Sequence, residues 1–203
     1  MMKLQIYEET VRNLLRSGAN METIFLYTKD YFGLSCCLSF QMPEGYENAF
    51  GLYDPLIQTL FLNQNLPITS SIHPLYYFLH ELRHAIQYSC PELFSQEIRI
   101  SLPYVVQYDG ACFKMGNGRW LSTHLDGEQS WFTELYLSLP YELDANQFAL
   151  STLSQSLETK LYWTQLEQLR NLWLPKYKLF PKDKAWELLK QTFQSIDQTI
   201  EGE

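Results

Sequence analysis

The chain has 203 residues, 46% of them hydrophobic and 15% aromatic. A chain of this length can bury one sizeable hydrophobic core and is short for two, so we expect a single domain over residues 1–203. Its formal net charge is −8, and its 15 Lys and Arg residues form no obvious cluster. Because phosphate binding depends on clustered basic side chains, this composition argues against direct nucleic-acid binding.

The sequence also bears on the cellular compartment. No run approaches the roughly 18 apolar residues of a membrane span, and residues 1–15 lack the apolar stretch of a signal peptide. We therefore expect a cytoplasmic protein that does not bind a membrane. The cysteines have neither metal-site spacing nor the density of a disulfide framework, so we expect reduced, semi-buried thiols. They are Cys36, Cys37, Cys90 and Cys112.

Taken in chain order, the apolar periodicity predicts two N-terminal helices, then short strands, then four further helices. The helices are expected at residues 4–17, 21–31, 72–89, 140–157, 159–173 and 182–200, and the strands at 37–42 and 57–63. Residues 99–135 are expected to form a hairpin and a loop that enters a helix. The predicted fold class is α+β, with a small antiparallel sheet packed on the helix at 72–89 and further helices at both ends.

The helix at 72–89 contains the segment YFLHELRHAIQY, in which His80, Glu81 and His84 interrupt an apolar run. Residues i and i+4 lie above one another on a helix, so both imidazoles can face one point with Glu81 beside them. This ligand set suits Zn²⁺, which lowers the pKa of a bound water to about 7. Glu81 is placed to accept the proton of that water.

A structural alternative needs no metal. In it the two histidines are hydrogen-bonded residues of the core, and Glu81 pairs with Arg83 or another cation. The His-Glu-x-x-His spacing is therefore suggestive rather than decisive, and a catalytic zinc site needs a third protein ligand.

The segment SLPYELDANQFAL, residues 138–150, offers that ligand. Pro140 and a possible N-cap at Ser138 predict a helix start, and Glu142 and Asn146 then share one face of the helix. Glu142 can reach a metal ion, and Asn146 can hydrogen-bond a ligand imidazole. Alternatively, Glu142 is only a first-turn acid that the helix dipole favours. The reserve ligands are Asp144, His124 and His73.

These segments together resemble one known family. A strand ending in Asn (TLFLN), a helix carrying HELRH and a later helix carrying ELDANQFAL are similar to the ImmA/IrrE-type metallopeptidases, a branch of the thermolysin-like gluzincins. The family pattern is a His-Glu-x-x-His helix followed by a Glu-x-x-Ala-Asn-x-Phe-Ala helix. The resemblance implies that His80, His84 and Glu142 are zinc ligands and that Glu81 is the general base.

The resemblance also suggests an oxyanion donor, since gluzincins commonly use a Tyr or a His for that role. Spacing does not choose among the candidates. They are Tyr141, His124, Tyr88 and Tyr77.

Two features depart from the family pattern. Arg83 occupies a position that usually holds a small residue, and 57 residues separate His84 from Glu142, more than the usual short connection. The surplus is interpreted as an insertion at about 91–135, a possible lid or substrate wall. The predicted organisation is then N-terminal helices at 1–33, a catalytic core at 34–150 and C-terminal helices at 151–203.

The sequence thus favours a zinc-dependent metallopeptidase acting on a protein or peptide, and the resemblance suggests a regulatory protease that acts on a repressor-type protein. An alternative function is a metal-binding or regulatory interaction module without turnover. A purely structural zinc is a third hypothesis, with Cys90 or His124 as its fourth ligand.

Overall fold

The computed structural model describes residues 2–65, 72–157 and 159–202. The helices are Met2–Arg16 (α1), Met21–Phe32 (α2), His73–Ser89 (α3), Gln96–Ser101 (α4), Gln129–Ser138 (α5), Pro140–Ser156 (α6), Thr159–Trp173 (α7) and Ala185–Gly202 (α8). The strands are Cys37–Ser39 (β1), Gly51–Asp54 (β2), Thr59–Leu62 (β3), Tyr104–Val106 (β4), Ala111–Gly116 (β5) and Arg119–His124 (β6). Short 3₁₀ turns cover Pro91–Leu93 and Lys182–Lys184. The predicted α+β class is confirmed.

All six predicted helices are present; one has both of its predicted ends, and the ends of the others differ from the predicted ones by at most three residues. Three elements were not predicted, namely β2, α4 and the third strand of the region 99–135. The prediction of Ser138 as an N-cap is wrong, because Ser138 is the last residue of α5. The backbone N–H of Leu143 instead donates to Leu139 O, so α6 begins directly after Leu139.

The two ends of α2 illustrate how local sequence defines a helix. At its start, the Asn20 side chain accepts a hydrogen bond from the backbone N–H of Thr23, which satisfies one of the free donors of the first turn. At its end, Gly33 adopts the left-handed conformation, and its backbone N–H donates to Lys29 O. Glycine takes this conformation without the steric cost of a Cβ atom.

Strands β1, β3 and β2 form one sheet in that order. β2 and β3 are antiparallel and joined by a tight turn, in which Asp54 Oδ1 accepts from the backbone N–H of Leu56. β1 runs parallel to β3, with Cys37 opposite Thr59. The predicted antiparallel pairing of β1 and β3 is therefore wrong, because the unpredicted β2 lies between them in sequence and occupies the antiparallel side of β3.

The described residues divide into two compact units. The first comprises the chain up to Phe94 together with Asp144–Leu172, and the second comprises Ser95–Leu143 together with the chain from Trp173 onward. The region 91–135, predicted as an insertion, supplies α4, the second sheet and part of α5, and all of these elements belong to the second unit.

Helix α3 is the centre of the first unit. Every residue from Tyr76 to Gln87 is buried, so the helix is covered on all sides. β2 and β3 pack on it, as does α2. Its apolar positions include Phe78, Leu79 and Leu82, none of which has exposed surface. This burial confirms the prediction of a sheet packed on the helix at 72–89.

The second unit is built on the antiparallel sheet β4-β5-β6. Helix α8 contacts β5 and β6, and α5 contacts both β4 and α8. Tyr104 stacks on Phe193 with ring centroids 4.3 Å apart, and its hydroxyl donates to Asp197, which also pairs with Lys114 at 2.7 Å. An aromatic contact and a shared carboxylate thus join α8 to this sheet.

The cysteines and the helix lengths bear on two further predictions. All four cysteines are free thiols, as predicted; three are buried, whereas Cys37 is exposed rather than semi-buried. Cys37 is exposed because β1 is a short edge strand. Within residues 2–65, 72–157 and 159–202, no helix has the length and apolar character that crossing a membrane requires.

Gly33 provides a test of the helix end. Gly33→Ala should lower the free energy of unfolding by about 1 kcal/mol, because an alanine in the left-handed conformation is strained. Nothing lies within 4 Å of the added Cβ atom, so the cost comes from the backbone alone. The matched control is Gly202→Ala, since Gly202 has no left-handed φ and no atom within 4 Å of its Cβ position. Thermal unfolding followed by circular dichroism should show a lower midpoint for Gly33→Ala only.

Candidate metal centre

Three buried side chains of α3 form the candidate metal centre. They are His80, Glu81 and His84, and one ligand atom from each lies within 4.8 Å of the other two. Pro74 in the first turn and Pro91 just beyond the end frame the helix that carries them. Because His80 and His84 are one helical turn apart, their side chains point to the same side.

The two imidazoles converge through the same type of ring nitrogen. His80 Nε2 and His84 Nε2 are 2.9 Å apart, and the two ring planes are perpendicular. Two nitrogen ligands at about 2.0–2.1 Å from a tetrahedral zinc ion lie about 3.3 Å apart. A shift of a few tenths of an ångström would therefore bring both nitrogens to one ion. With a carboxylate beside them, the donor set fits a divalent metal ion.

Glu81 is held against the first residue of strand β2. A Cβ atom added at Gly51 would lie 2.8 Å from Glu81 Cγ and 3.1 Å from Glu81 Oε1. Gly51 is therefore the residue that lets the strand approach the carboxylate so closely. Strand β2 is at an edge of its sheet, so this approach sets the position of Glu81 from one side.

His84 has a hydrogen-bond partner that was not predicted from the sequence. Its Nδ1 lies 2.8 Å from Gln87 Oε1, and Gln87 Nε2 donates to Asp144 Oδ2 at 2.8 Å. Metal-binding histidines usually have such a partner on the other ring nitrogen. The signal in the sequence was a glutamine three residues after His84.

Arg83, which lies within the His-Glu-x-x-His motif, is buried and has several partners. Its guanidinium donates to both carboxylate oxygens of Asp144, at 2.7 and 3.0 Å, and to Glu8 at 3.1 Å. It also lies between the rings of Phe94 and Phe148, 4.9 Å from each centroid. Burial alone would lower the pKa of Arg83, but the bonds to Asp144 raise it above its ordinary value. The guanidinium is thus a buried, paired cation.

These contacts bear on the alternative without a metal, in which Glu81 would pair with Arg83 or another cation. Arg83 pairs with Asp144 and Glu8, not with Glu81. Asp144 was the first reserve ligand. Its carboxylate accepts hydrogen bonds from Arg83 and from Gln87, the residue that contacts His84. It is not in the group of ligand atoms formed by His80, Glu81 and His84.

Asn146 is buried on α6 and accepts a hydrogen bond from the hydroxyl of Tyr76 at 2.5 Å. Tyr76 lies one turn before His80, and their ring centroids are 6.2 Å apart. The predicted hydrogen bond from Asn146 to an imidazole of the candidate centre stays a prediction. Glu142, the predicted third ligand, is also buried on α6, and its role likewise stays a prediction.

The other candidates lie at various places in the fold. His73 is the first residue of α3, where burial lowers its pKa. His124, exposed on β6 in the second unit, donates through Nε2 to Asp109 O at 3.1 Å. The hydroxyl of Tyr141 donates to Tyr104 O at 2.9 Å. As an oxyanion donor, Tyr141 would have to give up that bond.

The remaining tyrosine candidates are in aromatic contacts. Tyr77 stacks on Phe50 with parallel rings 4.4 Å apart, and the ring of Tyr88 is 6.0 Å from that of Tyr53. Cys90 ends α3 as a buried free thiol, and burial raises its pKa. Among the described residues, neither Cys90 nor His124 belongs to the candidate group of His80, Glu81 and His84.

Comparisons with known proteins add no identity to this geometry. No family model matches the chain, and neither a curated protein nor a solved structure matches it.

Arg83 offers a test of the support beneath the centre. Arg83→Met should lower the free energy of unfolding by about 3 kcal/mol, because it leaves Asp144 and Glu8 without their buried cation. The matched control is Arg170→Met, which removes an exposed pair with Glu167 and should cost less than about 0.5 kcal/mol. Urea unfolding followed by circular dichroism measures both. Equal losses in the two variants would contradict a supporting role for Arg83.

Proposed function

We propose that this protein is a zinc-dependent metallopeptidase. The observation that carries the proposal is the convergence of His80 Nε2 and His84 Nε2 in a buried group of side chains that also contains the Glu81 carboxylate. Zinc favours this mixture of imidazole and carboxylate ligands. The family resemblance of the two helical motifs agrees with this proposal.

In this mechanism each residue has a distinct task. His80 and His84 would hold the metal ion through Nε2, and Glu142 would be the third ligand, one helical turn before Asn146 on α6. When bound, zinc would polarise the scissile carbonyl and lower the pKa of the attacking water. Glu81 accepts the proton of that water at its carboxylate and delivers it to the leaving amine. The close packing of Gly51 holds Glu81 in position for both transfers.

The substrate class is a protein or peptide, and by resemblance we propose a repressor-type protein as the natural target. The oxyanion donor is proposed among Tyr141 and His124, with Tyr77 and Tyr88 as further candidates. We also propose a cytoplasmic location, as expected from the sequence.

A second candidate function is a metal-binding module without turnover. The observation that favours it is the low exposure of the three side chains, with His80, Glu81 and His84 only 8%, 6% and 6% exposed. A substrate carbonyl must reach these groups before any hydrolysis takes place. The two functions therefore make the same prediction for metal binding and opposite ones for cleavage.

Metal binding is the first test. Protein purified without added zinc should contain about one equivalent by elemental analysis, and His80→Ala and His84→Ala should each abolish high-affinity binding, because each removes one ligand nitrogen. Competition with a chromophoric chelator measures the affinity. Unchanged affinity in both variants would contradict the proposed centre.

Cleavage is the second test, and it separates the enzyme from the binding module. Glu81→Gln should retain zinc but lose at least about a hundredfold in peptide cleavage, because glutamine cannot accept the proton of the attacking water. Digestion of a degenerate peptide library, read by mass spectrometry, measures the activity. The matched control is Glu22→Gln, an exposed residue of α2. Cleavage by wild type and Glu22→Gln but not by Glu81→Gln supports the enzyme; equal activity in Glu81→Gln contradicts it.

Gly51 should control the position of the general base. Gly51→Ala places a Cβ atom 2.8 Å from Glu81 Cγ, so the carboxylate must move. Because a displacement of about 1 Å can reduce a rate by about a hundredfold, cleavage should fall strongly while zinc binding persists. Gly116→Ala is the matched control on a strand, since its Cβ would meet only Leu121 Cδ1 at an ordinary 3.8 Å. Full activity in Gly51→Ala would show that this contact does not position Glu81.

A further inference from the structure

We propose that Gln87 is a positioning residue that fixes His84 in the Nδ1–H tautomer, and that Asp144 and Arg83 hold the Gln87 amide in the orientation this requires. The inference concerns the hydrogen-bonded chain Glu8–Arg83–Asp144–Gln87–His84. It rests on the proposed function only for its consequence, which is a higher affinity of His84 Nε2 for a metal ion.

Asp144 determines the orientation of the Gln87 amide. One end of a glutamine amide donates hydrogen bonds and the other accepts them. The Asp144 carboxylate accepts hydrogen bonds from Arg83 through both of its oxygens, so the amide end that faces Asp144 is the donating Nε2. A flipped amide would place two acceptor oxygens 2.8 Å apart. Asp144 thereby leaves Oε1 of Gln87 facing the imidazole.

The Gln87 oxygen determines which nitrogen of the His84 imidazole carries the hydrogen. His84 Nδ1 lies 2.8 Å from Gln87 Oε1, and that oxygen can only accept. Nδ1 must therefore carry a hydrogen and donate a hydrogen bond to Gln87 Oε1. In a neutral ring the other nitrogen, Nε2, then keeps its lone pair, and this is the atom that lies 2.9 Å from His80 Nε2. The hydrogen-bond pattern selects the tautomer that can bind a metal ion through Nε2.

Arg83 keeps Asp144 in place. Arg83 approaches it with two donors in the planar fork geometry that suits a carboxylate. The guanidinium itself is confined between the rings of Phe94 and Phe148 and by Glu8 of α1. These three contacts fix the cation, and the cation fixes the Asp144 carboxylate. The support of His84 extends from α3 to both α1 and α6.

The consequence is preorganisation of one ligand. A histidine in water favours the Nε2–H tautomer, which must lose that proton from Nε2 before this atom binds a metal. If Gln87 selects the Nδ1–H tautomer in advance, this rearrangement is already complete. Partners of this kind are typically worth about a 10–100-fold difference in metal affinity.

The experiment measures the tautomer directly. In the metal-free full-length chain at about pH 8, where histidines are mostly neutral, long-range ¹H–¹⁵N NMR distinguishes protonated from bare ring nitrogens. Wild-type His84 should show a protonated Nδ1 and a bare Nε2. Gln87→Met, which removes the amide but keeps the length, should shift His84 toward the Nε2–H tautomer.

The matched control is Gln147→Met, a substitution of the same kind at an exposed position of α6, which should leave the spectrum of His84 unchanged. Zinc titrated against a chromophoric chelator should bind Gln87→Met about 10–100-fold more weakly than wild type and Gln147→Met. An Nε2–H tautomer in wild-type His84 overturns the proposal, whatever the variants do. So does a Gln87→Met variant that keeps both the tautomer and the affinity of wild type.

The outcome also separates this inference from the proposed function. If the tautomer depends on Gln87 but wild type binds no zinc, the positioning role is supported and the metallopeptidase is rejected. If wild type binds zinc and the tautomer is independent of Gln87, the metal centre is supported and the positioning role is rejected.

Discussion

The complete burial of helix α3 is the constraint on which the first unit depends. A helix that is covered on every side normally carries only apolar residues, but α3 carries His80, Glu81, Arg83, His84 and Gln87 among its buried positions. Each buried polar group requires a partner, because an unpaired one costs several kcal/mol. The surrounding elements must therefore supply polar atoms at defined places as well as apolar surface. This requirement accounts for Glu8 on α1 and Asp144 on α6 at the contacts with Arg83.

The polar residues of α3 divide into two groups by direction. Arg83 immediately precedes His84 in the sequence, so the two side chains point about 100° apart around the helix. One direction leads to the paired imidazoles and Glu81; the other leads to a cation between two aromatic rings and two carboxylates. Gln87 joins the two groups, since its amide contacts His84 on one side and Asp144 on the other. The bulky cation beside the motif is thus accommodated away from the imidazoles.

Local periodicity was sufficient to predict α3, α6 and the convergence of His80 and His84, because all of these depend on spacing along one helix. Strand β2 was not predicted, since Gly51 and the turn residues before it have weak strand preference and the strand forms only by pairing with β3. The partners of Arg83 could not be predicted either. They come from segments 75 residues before and 61 residues after it in the sequence, which only the tertiary fold brings together.

Gln87 shows most clearly where sequence reasoning ends. At i+3 from His84 it lies within reach, but spacing alone does not say which end of its amide faces the ring. Only the position of Asp144, itself determined by Arg83, decides that question. Arg83 therefore acts through one intermediate, Asp144, on the orientation of the Gln87 amide that contacts His84. The chemistry of such a centre depends on its supporting residues as much as on the two histidines that a motif identifies.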